Sequence, residues 1–320
     1  MNNVPTDQLN NNYDDEIDLR ELFHVLWDKI FYIGAITSIF SLISIIYALM
    51  LPNIYQSQAV MMPMEANQGM SGMLGQYSGM ASLAGISLPS ESGSKAQEAI
   101  ARIQSFEFFS NSFLPHIKLE NLMAVKKWNQ ASNTLTYDAS AFNSESGQWV
   151  RKVKPPTSTI PSSQEAYKKQ YQEIMSVSED KETSFVTLSV EHKSPVIAQQ
   201  WVEIMMDQID QVMRDQDRQT ALQSIAYLNS LAPTVNYEEI SKALASLQQE
   251  QMKRLMMVEA NENYIFKVLD SPIVPEMKVK PQRSLIVILG TMLGMMLSVL
   301  GVLVWHYTRT SSEHDEPGFR

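Results

Sequence analysis

The sequence predicts an α+β bitopic membrane protein, in which two transmembrane helices flank a large domain with an α/β base and a long protruding helical hairpin. Two runs without a charged residue support the membrane assignment, Ile30–Leu51 and Leu285–Trp305. At about 1.5 Å of rise per residue, each run can cross a hydrocarbon core of about 30 Å. Between the runs, strand-like alternation and helical periodicity both occur, which indicates a mixed fold.

These runs divide the 320 residues into five segments. The predicted segments are a leader (1–29), a first span (30–51), a large domain (52–284), a second span (285–305) and a tail (306–320). Inside the domain, the base comprises 52–194 and 264–284, and the extended helices occupy 195–263. The first run follows an acidic leader and lacks a small-residue cleavage site, so we expect it to remain as an anchor.

Composition and motifs exclude several classes of function. The net charge is −10 and the pI is about 5.1, so the chain lacks the basic footprint that nucleic acid requires. It has no cysteine, and it contains no Walker motif, no G-x-S-x-G and no H-E-x-x-H. The central domain has two histidines, His116 and His192, far apart in sequence. We therefore expect no catalytic residue, no cofactor and no metal.

The segments around the first span predict a helix and then a strand. Asp18 and Glu21 resemble a capping box that opens an apolar helical stripe ahead of the span. Two readings stay open for this helix, an extension of the span or a docking surface for a cytoplasmic partner. After the span, Tyr55–Met64 reads as a strand. Because Pro63 lacks a ladder donor, this strand cannot be central in a sheet beyond about Val60.

A segment rich in glycine, serine and methionine follows, Glu65–Ser94. It has too many glycines for a continuous helix and too many apolar residues for a free linker, which favours a loop ordered against a neighbour. Its methionines could suggest a soft-metal site. Without histidine or cysteine nearby, gap-filling apolar contacts are the better interpretation.

Three elements are predicted in the rest of the base. Lys95–Phe113 is a helix with Ala99, Ile103 and Phe106 on one stripe, ended by Pro115. Ser162–Glu165 is a capping box that opens a further helix. Thr183–His192 alternates as a half-buried strand. Of the tryptophans, Trp128, Trp149 and Trp201 could stack on sugars, but packing is the favoured role.

A long helix is predicted from Pro195, behind an N-cap at Ser194, to Ala232, where Pro233 stops it. Arg214–Thr220 is polar on every side, so we expect the helix to leave the core there and cross solvent. A second helix, Tyr237–Asn261, has the four-three spacing of a coiled-coil hairpin partner, and a strand at Tyr264–Leu269 follows. Six residues of the long helix are candidate subunit contacts: Trp201, Met205, Ile209, Arg214, Asp217 and Arg218.

The approach to the second span and the span itself carry the other candidate residues. Three prolines exclude a regular helix on the approach. Within the span, Gly290-Thr291-Met292-Leu293-Gly294 forms a small-xxx-small face on which another helix can pack. The candidate packing and motif residues are Pro272, Pro275, Pro281, Arg283, Gly290, Gly294 and Gly301.

Several stretches together resemble the Wzz family of class 1 polysaccharide co-polymerases, the O-antigen chain length determinants. They are IDLRELFHVLW, YQSQAVMMP, ASLAGISL, VTLSVEHKSPVIAQQWVEIM and YIFKVLDSPIVPEMKVKPQRSLIVILGTMLG. The resemblance covers essentially the whole chain, and its most specific part is the proline-rich entry to the second span. Gln282 departs from it, because a basic residue is frequent at that position of the family.

The resemblance implies an inner-membrane protein with both termini in the cytoplasm and the large domain in the periplasm, an orientation that the charges alone do not settle. It implies a bell-shaped, closed homo-oligomeric ring of about eight subunits. It also implies the function, which is to set the modal length of lipopolysaccharide O-antigen. The implied partners are a Wzy-type polymerase and its lipid-linked polysaccharide, and the family has no agreed catalytic site.

Two other classes of function are alternatives to a regulatory scaffold. The runner-up is a two-span periplasmic sensor, or a regulator of another surface glycan such as a capsule or common antigen. A glycosyltransferase would need convergent acids in a cleft, and the sequence shows no such set. A co-polymerase with a tyrosine-kinase domain would need more room than the tail after Trp305 offers.

Overall fold

A computed structural model describes residues 19–64, 91–234, 238–261 and 263–313. The chain forms two compact units, Met1–Leu51 with Pro281–Arg320, and Pro52–Lys280. The predicted cap at Asp18, residues 65–90 of the glycine-rich segment and the predicted helix start at Tyr237 lie outside the described residues.

The helices and strands are as follows. The helices are α1 (Leu19–Asp28), α2 (Ile30–Met50), α3 (Glu91–Ile103), α4 (Phe106–Phe108), α5 (Leu119–Met123), α6 (Ser163–Ala166), α7 (Gln172–Ile174), α8 (Pro195–Leu231), α9 (Glu238–Ala260) and α10 (Arg283–Glu313). The strands are β1 (Tyr55–Pro63), β2 (Val125–Asn129), β3 (Thr134–Tyr137), β4 (Phe142–Asn143), β5 (Gln148–Trp149), β6 (Met175–Glu179), β7 (Val186–His192) and β8 (Phe266–Asp270). The π-helical turns Phe109–Phe113 and Tyr167–Tyr171 continue α4 and α6.

The first unit contains the two helices that are long and apolar enough to span a membrane, over Ile30–Met50 and Arg283–His306. Helix α10 begins at Arg283, two residues before the predicted start of the span, and continues to Glu313. Helix α1 precedes α2, and Lys29 separates them in a non-helical conformation (φ −106°, ψ 16°). The described part of the leader is therefore a separate helix, and α2 is not extended smoothly by it.

The second unit is built on a four-stranded antiparallel sheet with the order β6-β7-β1-β8. Strand β1 pairs with β7 from Tyr55 to Met61 and with β8 from Val60 to Pro63. The register with β8 shifts between Val60 and Met61. Pro63 thus lies beyond the β7 pairing, as its missing N–H requires, and the prediction that the strand is not central past Val60 is accurate to one residue.

The core of this unit lies between one sheet face and helix α8. Val186, Leu188 and Val190 alternate along β7 and are completely buried, where they pack with α8. Aromatic rings also pack in this core. The Phe109 and Tyr171 ring centroids are 4.7 Å apart, and the Tyr171 hydroxyl donates to the backbone oxygen of Ile103 at 2.6 Å.

Helix α8 spans the predicted residues, but its middle differs from the prediction. Ser194 stands at the N-cap position without a side-chain capping bond, and Pro195 is the first helical residue. In the predicted solvent-crossing stretch, Asp217 is 8% exposed, and the residues four before and four after it, Met213 and Ala221, are also buried. The expectation of a polar stretch crossing solvent is therefore wrong, because one face of this stretch stays covered.

Two further helical predictions need correction. The helix predicted over Lys95–Phe113 is interrupted, since α3 ends at Ile103 and the Ser105 side chain caps α4 by accepting from the Phe108 N–H at 3.2 Å. Phe106 is 38% exposed and does not continue the buried stripe of Ala99 and Ile103. Serine favours this break because its hydroxyl can replace a helical acceptor.

The repeat along α9 holds only near its C-terminal end. Val258 is completely buried, whereas Ile240 and Leu247 are 50% and 47% exposed. The capping box at Ser162 is half formed, because Ser162 accepts from the Glu165 N–H while the Glu165 carboxylate binds Arg151 in a bidentate pair at 2.7 and 3.0 Å.

Candidate functional site

The predicted glycine face of the second span packs against the first span. A Cβ atom added to Gly290 would lie 1.9 Å from the Ser44 hydroxyl oxygen, and one added to Gly294 would lie 2.4 Å from the Cβ of Phe40. A side chain at either position would meet the Ser44 or Phe40 side chain, so something there would have to shift. The small residues of α10 thus permit close approach within one chain, which is how such faces hold helices together in lipid.

The same face continues one turn further on α10 through a serine instead of the predicted glycine. Ser298 is 1% exposed, and its hydroxyl lies 3.4 Å from the hydroxyl of Thr37 on α2. Gly301, by contrast, has nothing within 4 Å of an added Cβ. Gly301 is therefore not part of the packing face within the chain, and Ser298, which the glycine spacing does not single out, belongs to it.

An aromatic and basic cluster lies where α2 begins and the apolar part of α10 ends. The rings of Tyr32 and Trp305 contact edge to face with 6.3 Å between centroids, and the Lys29 ammonium lies 5.6 Å from the Trp305 ring centroid. Tyrosine, tryptophan and lysine are typical of the interface between lipid and water. This end of the helix pair thus has the chemistry of a membrane boundary.

The proline-rich approach is irregular, as predicted. Within residues 271–282, Lys280 forms an isolated antiparallel β-bridge with Ile54. Pro272 is buried, and the neighbouring Ile273 oxygen accepts a 2.8 Å hydrogen bond from Ser57 on β1. Pro275 and Pro281 are half-buried, and Arg283 is the first residue of α10.

The polar stretch of α8 anchors the root of the hairpin through a buried carboxylate. Asp217 accepts from Lys95 of α3 at 2.6 Å, from Arg254 of α9 at 2.7 Å and from the Tyr264 hydroxyl in a short hydrogen bond. Burial would raise the pKa of Asp217, but the hydrogen bonds from Lys95 and Tyr264 and the nearby cations outweigh it and hold the pKa below its ordinary value. One side chain therefore joins three helices.

A second polar contact lies about one turn earlier on α8 and closes the end of α9. Arg214 donates to the backbone oxygens of Val258 and Asn261 at 2.6 and 2.7 Å and pairs with Asp210 at 2.7 Å. Asp210 also accepts from the Tyr264 N–H at 2.8 Å. A cation at a helix C-terminus satisfies carbonyls that have no helical partner, and it complements the helix dipole.

The candidate subunit contacts on α8 fall into two groups. Trp201, Met205 and Ile209 are 3%, 0% and 0% exposed, so they lie in the core of their own chain and not on a surface that a second subunit could reach. Arg214 and Asp217 belong to the hairpin root. Arg218 is the most exposed of the six, and its guanidinium forms a bidentate pair with Glu259 at 2.6 and 3.0 Å.

His192 is a buried side chain that the sequence left unassigned. Its Nδ1 accepts from the Ser194 N–H at 3.0 Å, its Nε2 lies 3.0 Å from the Asn121 oxygen, and its ring packs 4.9 Å from that of Trp201. Burial lowers the pKa of His192 to about 4, so the imidazole is neutral at pH 7. Its place in the core fits a structural role.

Within the described residues, no group of three or more histidine, aspartate or glutamate side chains is arranged to hold a metal ion. The carboxylates described above are engaged by cations or backbone N–H groups. The geometry thus offers packing surfaces and anchoring contacts.

Two family models match parts of the chain. The family model for Wzz, described as chain length determinant protein, matches residues 15–111. A second model, GNVR, described as a G-rich domain on putative tyrosine kinase, matches residues 235–307. The two matches include both membrane helices. No curated protein matches the chain.

Among solved structures, the chain is similar to one titled full-length bacterial polysaccharide co-polymerase. The two share 14% sequence identity with a TM-score of 0.41, over 92% of this chain and 99% of the other. The two family models match the segments on which the sequence resemblance rests, around the first span and at the entry to the second. Residues 15–111 therefore carry the chain length determinant domain of the Wzz family, and residues 235–307 carry a GNVR domain.

Proposed function

We propose that this protein sets the modal length of the O-antigen that a Wzy-type polymerase makes on a lipid carrier during lipopolysaccharide biosynthesis. The observation that carries the proposal is the match of the chain length determinant model over residues 15–111. The protein acts as a non-enzymatic regulator. In support, the polar contacts of Asp217 and Arg214 join helices to one another and serve as structural anchors.

The proposed location is the bacterial inner membrane, with both termini in the cytoplasm and Pro52–Lys280 in the periplasm. Helices α2 and α10 run antiparallel, because Gly290 contacts Ser44 while Trp305, further along α10, contacts Tyr32 near the start of α2. This supports a topology in which the leader and the tail emerge on the same side of the membrane. The side itself is taken from the family.

Assembly into a closed ring of about eight identical subunits is part of the proposal. It is supported by large apolar side chains that the hairpin leaves uncovered. Those more than two-fifths exposed are Leu222, Tyr227, Ile240, Leu247, Met252 and Met256. In the proposed ring, neighbouring subunits would cover these side chains.

In the proposed mechanism, identical protomers pack base to base and their hairpins line a common structure. The size of that structure, or the contacts that it offers to the polymerase, determines how long the polymerase stays processive. The anchors at Asp217 and Arg214 matter here because they hold the root of each hairpin. Because the anchors fix the direction of each hairpin relative to its own base, a ring of subunits can align neighbouring hairpins side by side.

The test is a lipopolysaccharide ladder on a gel, from the host strain with this gene deleted and then restored. We expect long chains to persist after deletion while their modal cluster spreads into a broad distribution, and the cluster to return on complementation. Complete loss of polymer would instead assign the protein to synthesis or export. An unchanged ladder would contradict the proposal and favour another surface glycan, such as a capsule or common antigen, or a two-span sensor.

A further inference from the structure

A groove in the unit Pro52–Lys280 lies where strand β1 begins beside the β2-β3 hairpin. Its volume is about 470 Å³, within the range of about 300–1,000 Å³ that small-molecule sites occupy. Two aromatic side chains, Tyr55 and Trp128, line it. Its polar lining is rich in amides, namely Asn53, Asn129 and Gln130, together with Lys127.

The two aromatic rings are held in a defined geometry. Tyr55 and Trp128 contact edge to face, with 5.5 Å between ring centroids and 79° between ring planes. The Trp128 indole N–H donates to the Asn133 side-chain oxygen at 2.8 Å, which fixes the orientation of the ring. Both side chains are only half-buried. A fixed and partly open aromatic surface is suited to the C–H face of a pyranose ring, because polarised C–H groups pack on the electron-rich face of an aromatic ring.

The polar lining has the complementary chemistry. A primary amide presents both donors and acceptors, so it can bind neighbouring hydroxyl groups of a sugar in either direction. Although the whole chain carries a net charge of −10, the groove is lined by no carboxylate. Lys127 lines it, and the Lys278 ammonium lies 3.4 Å from the Asn53 side-chain oxygen. The groove therefore suits neutral or acidic saccharides.

We propose that this groove binds a saccharide unit of the polymer whose length the protein regulates, with Trp128 and Tyr55 as the stacking surface and with Lys127 and Gln130 as polar contacts. This inference rests on the proposed function, which supplies a polysaccharide as partner. It goes beyond that function by naming a contact surface and the side chains that form it. In such a site the chain itself contacts the growing polymer, and subunit number alone does not determine its length.

The test is a binding titration on the full-length protein in detergent. The probe is polysaccharide released by mild acid from the lipopolysaccharide of the host strain, and the signal is tryptophan emission. Lys127→Ala/Gln130→Ala is the test variant, because both side chains are exposed. We expect a saturable change for the wild type, lost in Trp128→Phe, and binding weakened about tenfold in the test variant.

The matched control is Lys181→Ala/Gln172→Ala, which removes one exposed lysine and one exposed glutamine elsewhere in the same unit. It should bind as the wild type does. Equal binding by the test variant and the wild type would overturn the inference, as would a wild-type protein whose emission does not respond to the probe.

The lipopolysaccharide ladder separates failure of this inference from failure of the proposed function. If gene deletion disperses the modal cluster while Lys127→Ala/Gln130→Ala keeps both binding and chain length, the groove is not the contact and the proposed function stands. If deletion leaves the ladder unchanged, the proposed function fails and the inference fails with it. A test variant that loses binding and shifts the modal length, with an unaffected control, supports both.

Discussion

Gly290 lies so close to Ser44 that a methyl group on the glycine would sit 1.9 Å from the serine hydroxyl oxygen and 2.7 Å from its Cβ. The next atom of Ser44, its Cα, is 4.0 Å away. The contact is therefore made by the serine side chain alone. This relationship allows a compensating pair of substitutions to test the packing of the two membrane helices.

We expect Gly290→Ala to destabilise the helix pair by about 1–3 kcal/mol, the usual cost of overpacking. Adding Ser44→Gly should restore most of the loss, because it removes both atoms that the new methyl group would meet. The measurement is the thermal stability of the full-length protein in detergent. The folded fraction that remains after heating is detected by size-exclusion chromatography.

Gly301→Ala is the control for that pair, since it has nothing within 4 Å of its added Cβ, and it should behave as the wild type. The larger change Gly290→Leu/Gly294→Leu should disturb the helix pair further and alter the modal chain length. A double variant with normal assembly and normal chain length would show that the glycine face is not a functional contact.

Asp217→Asn should destabilise the root of the hairpin by about 3 kcal/mol, because it leaves the Lys95 and Arg254 cations without their shared, largely buried carboxylate. Urea unfolding of the full-length protein, followed by tryptophan emission, measures the change. Arg218→Gln is the control, because it breaks an exposed pair with Glu259, and we expect less than about 1 kcal/mol from it. Similar losses in the two variants would contradict the assignment of Asp217 as the anchor.

Stability should fall as the pH drops from about 6.5 towards 4, in part through His192. In the folded state the pKa of His192 is lowered to about 4, so the unfolded chain takes up a proton first. The stabilisation is complete above the unfolded pKa of about 6.5, and about 3 kcal/mol of it is lost by pH 4.

His192→Gln should flatten this part of the pH profile, because the glutamine amide can accept from Ser194 and donate to Asn121 without titrating. Denaturation midpoints at several pH values measure the slope. An unchanged slope in the variant would mean that other groups cause the acid sensitivity.

Leu247→Asp should weaken self-assembly while leaving the monomer folded, since Leu247 is 47% exposed within its own chain. Burying a carboxylate in an apolar subunit contact is strongly unfavourable, because the charge loses its hydration there. The readouts are particle mass by light scattering and the lipopolysaccharide ladder. Gln249→Asp, at an exposed polar position of the same helix, is the matched control. If both variants assemble normally, this part of the hairpin is not a subunit contact.

Boundaries of the long elements could be predicted from the sequence because the signals for them are local. Pro195 starts α8, and the helix ends at Leu231, one residue before the predicted end. Pro63 limits the pairing of β1 for the same kind of reason, the absence of one backbone donor. Gly290 and Gly294 were predicted to face another helix, and in the structure they lie against Ser44 and Phe40 of α2, a partner that the sequence did not identify.

The predictions were wrong where they depended on contacts with a distant segment of the same chain. Polar residues occur on every side of the helix over Arg214–Thr220, which predicts that this stretch leaves the core and is surrounded by solvent. The residues with buried or paired side chains, Asp210, Arg214 and Asp217, nevertheless recur at helical spacing and meet α3, α9 and the turn before β8. Polarity alone cannot separate a side chain paired with an ion or carbonyl from one in water.

The sequence alone determined that the chain has two apolar spans, an α/β domain with a long helix, and the motifs of a chain length determinant. These depend on apolar run length, residue period and helix-breaking residues, which are properties of neighbouring positions. The tertiary structure decided that α2 is the partner of the glycine face, that Asp217 anchors the hairpin and that Trp201 lies in the core. Each of these depends on which distant segment supplies the opposing atoms, and an isolated segment does not specify its partner.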